Sequence, residues 1–136
     1  MNLIEAENAI IEEFSMYEEW LDKYEYLIEL GKSLQDYPES SKTDDKLIKG
    51  CQSRVWLDYR IENGKIVFNA DSDAIITKGI ISLLVGIYSG RTAQEILSSD
   101  FSVVEKIGLK ENLSPTRANG LVSMIAKIRQ VAADNC

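Results

Sequence analysis

The chain has 136 residues, of which 45% are hydrophobic and 27% are charged, and its formal net charge is −7. It has no histidine and only two cysteines, which excludes Ser-His and Cys-His catalytic pairs, histidine-containing zinc or haem sites, and a tetrahedral cysteine-rich metal site within one chain. The acidic balance also argues against nonspecific nucleic-acid binding, which needs an excess of lysine and arginine. A chain of this length is expected to form one domain over residues 1–136.

The N-terminal residues 1–7 have neither the basic nor the unbroken apolar segment of a signal peptide. The most hydrophobic stretch, residues 74–88, contains Lys78 and is shorter than the ~20 apolar residues that cross a bilayer. The sequence therefore predicts a cytoplasmic protein with reduced thiols.

The first third of the chain is predicted to be helical and acidic. Residues 1–45 contain 13 acidic and 3 basic side chains, and their apolar positions recur at helical spacing. We expect two helices here, with Ser15 as the N-cap of the second and Glu18 completing a capping box. Residues 35–46, which contain a proline and four acids, are expected to form a loop.

A β-hairpin follows this loop. Apolar and polar residues alternate over 55–62, which is the period of a half-buried strand, with Val55, Leu57, Tyr59 and Ile61 on the apolar face. The pair Asn63-Gly64 favours a tight turn because both residues accept positive φ. The return strand is expected over residues 65–68.

The second half is predicted to be helical. Residues 74–88 are apolar on nearly every side and should form a buried central helix, capped by Asp71 or Ser72. A capping box at Thr92 opens a short helix, and Ser114-Pro115 begins the last one. This order of elements predicts an α+β domain.

Cys51 is the candidate nucleophile. It follows Gly50 in residues 46–60, the only locally basic segment, and Lys46, Lys49 and Arg54 lie within five positions of it. Nearby cations lower the pKa of a thiol, and a thiolate can attack electrophilic sulfur without a general base. The alternative from the residues alone is a buried structural cysteine. Cys136, the last residue, is expected to be an exposed thiol without a role.

Three segments resemble the SufE family of sulfur-acceptor proteins. The first is Gly50-Cys51-Gln52-Ser53-Arg54-Val55-Trp56. The others are Asp71-Ser72-Asp73-Ala74 leading to Lys78-Gly79, and Leu113-Ser114-Pro115-Thr116-Arg117 leading to Gly120-Leu121. They occur in the family's order and spacing, and together with the helical N-terminal region they extend the resemblance over essentially the whole chain.

The resemblance implies a fold and a function. The implied fold is α+β, with helices packed on one face of a small antiparallel sheet, similar to the IscU scaffold. The implied function is to accept persulfide sulfur from a pyridoxal-phosphate-dependent cysteine desulfurase of the SufS type, to stimulate that enzyme, and to deliver the sulfur to a SufBCD-type iron–sulfur assembly complex. The chain would be an accessory protein rather than an enzyme, and it would need no cofactor, because the pyridoxal phosphate belongs to the desulfurase.

By the family pattern, Cys51 carries the persulfide. Its neighbours in the loop are implied to shape and shield the site, and further residues to lie near the loop or the partner surface; these are Gly50, Gln52, Ser53, Arg54, Asp73 and Arg117. Two alternatives stay open: an IscU-like iron–sulfur scaffold, and a protein-binding module in which Cys51 is structural.

Overall fold

The computed structural model describes every residue from Met1 to Cys136. The chain forms six α-helices and a two-stranded antiparallel sheet that share one core, so the predicted α+β class, with helices packed against a small sheet, is confirmed. In chain order the elements are α1 (Leu3–Ser15), α2 (Trp20–Lys32), β1 (Val55–Glu62), β2 (Lys65–Ser72), α3 (Ile75–Tyr88), α4 (Ala93–Ser98), α5 (Val103–Lys106) and α6 (Pro115–Asp134).

The hairpin forms as its turn predicts. Asn63 and Gly64 have φ of 52° and 76°, and β1 pairs with β2 from Val55 opposite Ser72 to Glu62 opposite Lys65. The return strand is longer than the predicted 65–68 because pairing continues to Ser72. The hairpin therefore extends directly into the segment that begins α3.

The predicted alternation of β1 holds only at its first residues. Val55 and Leu57 are buried, but Tyr59 and Ile61 are 41% and 49% exposed. Trp56, expected on the polar face, is buried, and the Lys42 ammonium lies 5.3 Å from the centre of its ring. The loop of residues 35–46, which contains two short 3₁₀ turns, thus packs over the face of β1 that the sequence predicted to be open.

The first two helices differ from the prediction at their junction. Ser15 lies inside α1, where its hydroxyl donates to the Glu12 carbonyl, and it does not cap α2. Glu18 completes no capping box, because α2 begins at Trp20 behind Glu19, which makes no side-chain cap. The capping box of this region instead opens α1, between Asn2 and Glu5.

The central helix α3 is buried as expected but is not capped by Asp71 or Ser72. Ala74 precedes the helix and makes no side-chain cap. Asp71 instead forms ion pairs with Lys42 at 3.2 Å and Lys78 at 3.3 Å. Burial favours a higher pKa for Asp71, but hydrogen bonds from the Ser72 N–H and from the two lysines outweigh it and lower that pKa.

Helix α2 packs closely on α3 at a pair of glycines. A Cβ added to Gly79 would lie 2.3 Å from the Leu27 carbonyl oxygen, and one added to Gly31 would lie 3.1 Å from the Gly79 nitrogen. The two backbones can approach this far only because neither residue has a side chain. Gly31 is thus a packing residue of α2.

The remaining caps form as predicted. Thr92 and Glu95 make a capping box at α4, and the Ser114 hydroxyl accepts the Arg117 N–H at the start of α6, with Pro115 at the first helical position. The helices and the sheet share one core of 29 buried residues. None of the helices has the length and hydrophobicity needed to cross a membrane.

Candidate functional site

Cys51 lies in a short loop, residues 49–54, that precedes β1. The loop is closed at its base by the Ile48 N–H, which donates to the Val55 carbonyl at 2.9 Å. Gly50 has φ of +95°, and a Cβ there would lie 2.3 Å from the Ser123 hydroxyl oxygen in α6. The backbone conformation favours glycine at this position, and a Cβ would also displace the Ser123 hydroxyl.

The far end of the loop is held by Ser72, the last residue of β2, and by Asp73, which follows it. The Arg54 N–H donates to the Asp73 carboxylate at 3.0 Å. The Arg54 carbonyl accepts from the Asp73 N–H at 3.2 Å and from the Ser72 hydroxyl at 2.8 Å. Asp73 therefore anchors the loop that carries Cys51.

The Cys51 side chain is half-buried against α6. Its Sγ lies 3.6 Å from the Gly120 carbonyl oxygen, to which the thiol donates. A Cβ on Gly120 would lie 3.4 Å from this sulfur, so the absence of a side chain there leaves room for the thiol. The sulfur is thus held in contact with the backbone of α6.

The expectation of a lowered pKa for Cys51 is wrong. Burial raises the pKa of this thiol, and no cation offsets that effect. Lys46 forms an ion pair with Asp58 at 3.0 Å, and the side chains of Lys49 and Arg54 are exposed. The basic residues near Cys51 in sequence are therefore either exposed to solvent or paired with another group, and they do not stabilise a thiolate. In the free protein Cys51 is a neutral thiol near pH 7.

A cavity of about 300 Å³ lies beside Cys51. It is lined by residues of the loop, of α3 and of the first turns of α6: Cys51, Gln52, Ser53, Thr77, Ile80, Ser114, Thr116, Arg117, Gly120 and Met124. Of the site residues that the sequence singled out, the cavity brings together Cys51, Gln52, Ser53 and Arg117. Gly50, Arg54 and Asp73 do not line the cavity. They shape and hold the backbone of the loop instead, through the positive φ of Gly50 and the hydrogen bonds between Arg54 and Asp73.

Comparison with known families identifies the chain. Residues 8–132 match the family model described as SufE, Fe-S metabolism associated domain. The chain belongs to the SufE family. The resemblance carried by the three sequence segments is thereby confirmed, and membership of this family assigns the protein a role in iron–sulfur metabolism.

Two relatives are similar to this SufE-family chain over most of its length. A SufE-like protein of Rhizobium etli is 43% identical, covering 92% of this chain and 88% of its own. One of Rhizobium meliloti is also 43% identical, covering 92% of this chain and 93% of its own. A solution structure of a hypothetical protein from Thermus thermophilus has a similar fold, with a TM-score of 0.78 at 18% identity, over 96% of this chain and 95% of the other.

The SufE-family site also includes residues that sequence reasoning did not single out. Thr77 and Thr116 line the cavity, as do Ile80 and Met124. Thr77 had a sequence signal, because it is a hydroxyl residue in the first turn of an otherwise strongly apolar helix. Ile80 and Met124 had none, because apolar residues at these positions look the same whether they face the core or a cavity.

The second cysteine is remote from the first. Cys136 is exposed and lies beyond the C-terminal end of α6, whereas Cys51 contacts Gly120 near the N-terminal end. From Gly120 to Asp134 the helix rises by about 20 Å. No group of three or more histidine, cysteine or acidic side chains lies close enough together to hold a metal ion.

Proposed function

We propose that this SufE-family protein is a sulfur carrier, which receives persulfide sulfur on Cys51 from a pyridoxal-phosphate-dependent cysteine desulfurase and delivers it for iron–sulfur cluster assembly. The observation that supports this best is the setting of Cys51: one thiol in a loop pinned at both ends, beside a cavity that has room for a further sulfur atom. The donor would be a SufS-type desulfurase, and the recipient a SufBCD-type assembly complex.

The transfer needs only thiol chemistry. The Cys51 thiolate attacks the terminal sulfur of a persulfide on the desulfurase cysteine, the S–S bond of that persulfide breaks, and the desulfurase thiolate leaves and takes up a proton. No oxidant is consumed, and the acceptor contributes no cofactor of its own. A reducing cytoplasm would keep Cys51 available as a free thiol.

Docking must change the surroundings of Cys51 for this reaction. The thiol donates to the Gly120 carbonyl and its pKa is raised by burial, so the free protein is a poor nucleophile. We expect the desulfurase to draw the loop away from α6, which exposes the sulfur and removes the effect of burial on its pKa. The protein would thus be activated only at its partner.

The arrangement of thiols favours a carrier over an iron–sulfur scaffold. A cluster needs about four thiolate or equivalent ligands, and only two cysteines are present, at opposite ends of α6. We therefore expect anaerobic reconstitution with iron and sulfide to yield no stable cluster absorbance. A cluster that forms and is lost on Cys51→Ser would support the scaffold instead.

The decisive experiment is intact-mass analysis after incubation with a cysteine desulfurase and cysteine. We expect the protein to gain the mass of one sulfur atom, Cys51→Ser to gain none, and Cys136→Ser to behave like the native chain. Cys136→Ser is the matched control because it removes the other thiol. The proposal would be overturned if Cys51→Ser still gained sulfur and Cys136→Ser did not. It would also be overturned if no form of the protein gained mass, which is the result expected for a protein-binding module in which Cys51 is structural.

A further inference from the structure

The cavity beside Cys51 is free of acidic groups in a strongly acidic protein. The chain has 22 aspartate and glutamate residues and a net charge of −7, yet the only charged side chain in the lining is Arg117. Arg117 is exposed and forms no ion pair. The two carboxylates of the segment that leads into α3 are engaged elsewhere, Asp71 with two lysines and Asp73 with the Arg54 N–H. The cavity therefore favours a negative charge over a positive one.

Helix α6 adds to this preference. It is 20 residues long, and its first turn, with Ser114, Thr116 and Arg117, lines the cavity. The N-terminal end of a helix carries about half a positive charge and attracts anions. Apart from Arg117, the loop, α3 and α6 present only hydroxyls, an amide, the Cys51 thiol, a glycine and two apolar side chains to the cavity.

Thr77 supplies an independent observation. It is only 7% exposed, it lines the cavity from α3, and its hydroxyl forms no hydrogen bond with the protein. No side-chain oxygen that is wholly enclosed by the protein lacks a partner, so the Thr77 hydroxyl keeps some accessible surface, and Thr77 lines the cavity. A hydroxyl without a protein partner can donate a hydrogen bond to an acceptor that enters the cavity, and such a bond is stronger when the acceptor is charged than when it is water. Its proton is available to a group that enters the cavity.

We infer that the cavity holds the outer sulfur of a Cys51 persulfide as an anion, with the Thr77 hydroxyl donating a hydrogen bond to it and Arg117 and the N-terminus of α6 supplying positive potential. This inference rests on the proposed carrier function. The outer sulfur lies about 2 Å beyond Sγ. Sγ itself contacts the Gly120 carbonyl, which accepts from a thiol and repels a thiolate. The site thus keeps the empty carrier neutral and the loaded carrier anionic.

The test loads Cys51 without a desulfurase, so that it does not depend on the partner. In the Cys136→Ser background, the Cys51 thiolate attacks a sulfur of inorganic polysulfide, an S–S bond of the polysulfide breaks, and a shorter polysulfide leaves. Excess polysulfide is removed and the persulfide is alkylated with iodoacetamide at a series of pH values. Intact-mass analysis of the time course gives the alkylation rate at each pH. The midpoint of this rate profile reports ionisation of the outer sulfur.

We expect Thr77→Val and Arg117→Gln each to raise this midpoint. The rise for Thr77→Val should be about one pH unit, because a hydrogen bond to a charged group is lost. Thr77→Ser should retain the native midpoint, since it keeps the hydroxyl. Thr43→Val and Lys127→Gln are the controls, because they remove a hydroxyl and a positive charge from exposed positions outside the lining. Arg117 is exposed, so its variant keeps the test informative even if Thr77→Val fails to fold.

Three outcomes would overturn the inference. The first is that neither Thr77→Val nor Arg117→Gln changes the midpoint for the persulfide. The second is that these variants shift the midpoint of the unloaded Cys51 thiol by the same amount, since the cavity would then act on Sγ and not on the outer sulfur. The third is protection of the unloaded thiol by sulfate in a manner that requires Arg117, which would make the cavity a site for free anions. A protein that loads from polysulfide with the expected midpoints but takes no sulfur from a desulfurase would contradict the carrier function alone.

Discussion

The two thiols of this protein differ in their surroundings, and that difference predicts their reactivity. Cys51 is half-buried with a raised pKa, whereas Cys136 is exposed at the end of the chain. Because only the thiolate reacts, we expect iodoacetamide at pH 7 to modify Cys136 more than about tenfold faster than Cys51. The Cys51 rate should still rise with pH above ~9.5, where an ordinary cysteine, whose pKa is ~8.5, approaches its plateau. Peptide mapping of the time course measures both rates.

Unfolding provides the control for this prediction. In concentrated urea both thiols lose their folded surroundings, so their alkylation rates should become similar. A Cys51 that reacts in the native protein at pH 7 as fast as Cys136 would show that the loop does not shield it. Such a result would also remove the reason to expect activation at the desulfurase.

The residues of the site were only partly predictable from the sequence. Cys51 could be found because it is one of two cysteines and follows a glycine beside basic residues. The direction of its pKa could not, because burial by α6 depends on Gly120, 69 positions away in the chain. Thr77 stands out in the sequence as a hydroxyl residue of an apolar helix, but its relation to Cys51 exists only after α3 and the loop have packed together.

At the scale of elements, the local signals were reliable. The Asn63-Gly64 turn, the Thr92 capping box and the Ser114-Pro115 helix start all form, because each depends on residues that are near one another in the chain. Asp71 was expected to act locally as a cap and instead pairs with Lys42 and Lys78, in the preceding loop and in α3. Long-range ion pairs of this kind leave no sequence pattern.

The close contact of α2 and α3 gives a prediction with an internal control. Gly79→Ala should destabilise the protein by about 2–3 kcal/mol, because its Cβ would meet the Leu27 backbone, which cannot rotate away. Gly86→Ala, in the same helix, should stabilise it by up to about 1 kcal/mol, since no atom lies within 4 Å of the added Cβ. Urea unfolding of both variants measures the two effects. Equal effects would mean that α2 and α3 are farther apart than described.

At the scale of the molecule, charge is segregated along the chain. Residues 1–45, which form α1, α2 and the loop after them, are strongly acidic, whereas residues 46–60 carry four bases and one acid. Two of those bases are neutralised locally, Lys46 by Asp58 and Arg60 by Glu62. The two that remain unpaired, Lys49 and Arg54, are exposed on either side of Cys51. The net charge of −7 therefore conceals a small positive region at the loop.

This positive region predicts how docking depends on salt. If it guides the loop to an acidic surface of the desulfurase, Lys49→Glu or Arg54→Glu should slow persulfide transfer at low salt by about tenfold. The deficit should shrink near 1 M salt, where charges are screened beyond ~3 Å. Initial rates of sulfur gain by intact mass at several salt concentrations measure both effects. The control is Lys127→Glu, which changes the net charge by the same amount at an exposed position of α6 outside the Cys51 cavity. If this variant slows transfer equally, the effect comes from the overall charge of the protein and not from the positive region at the loop.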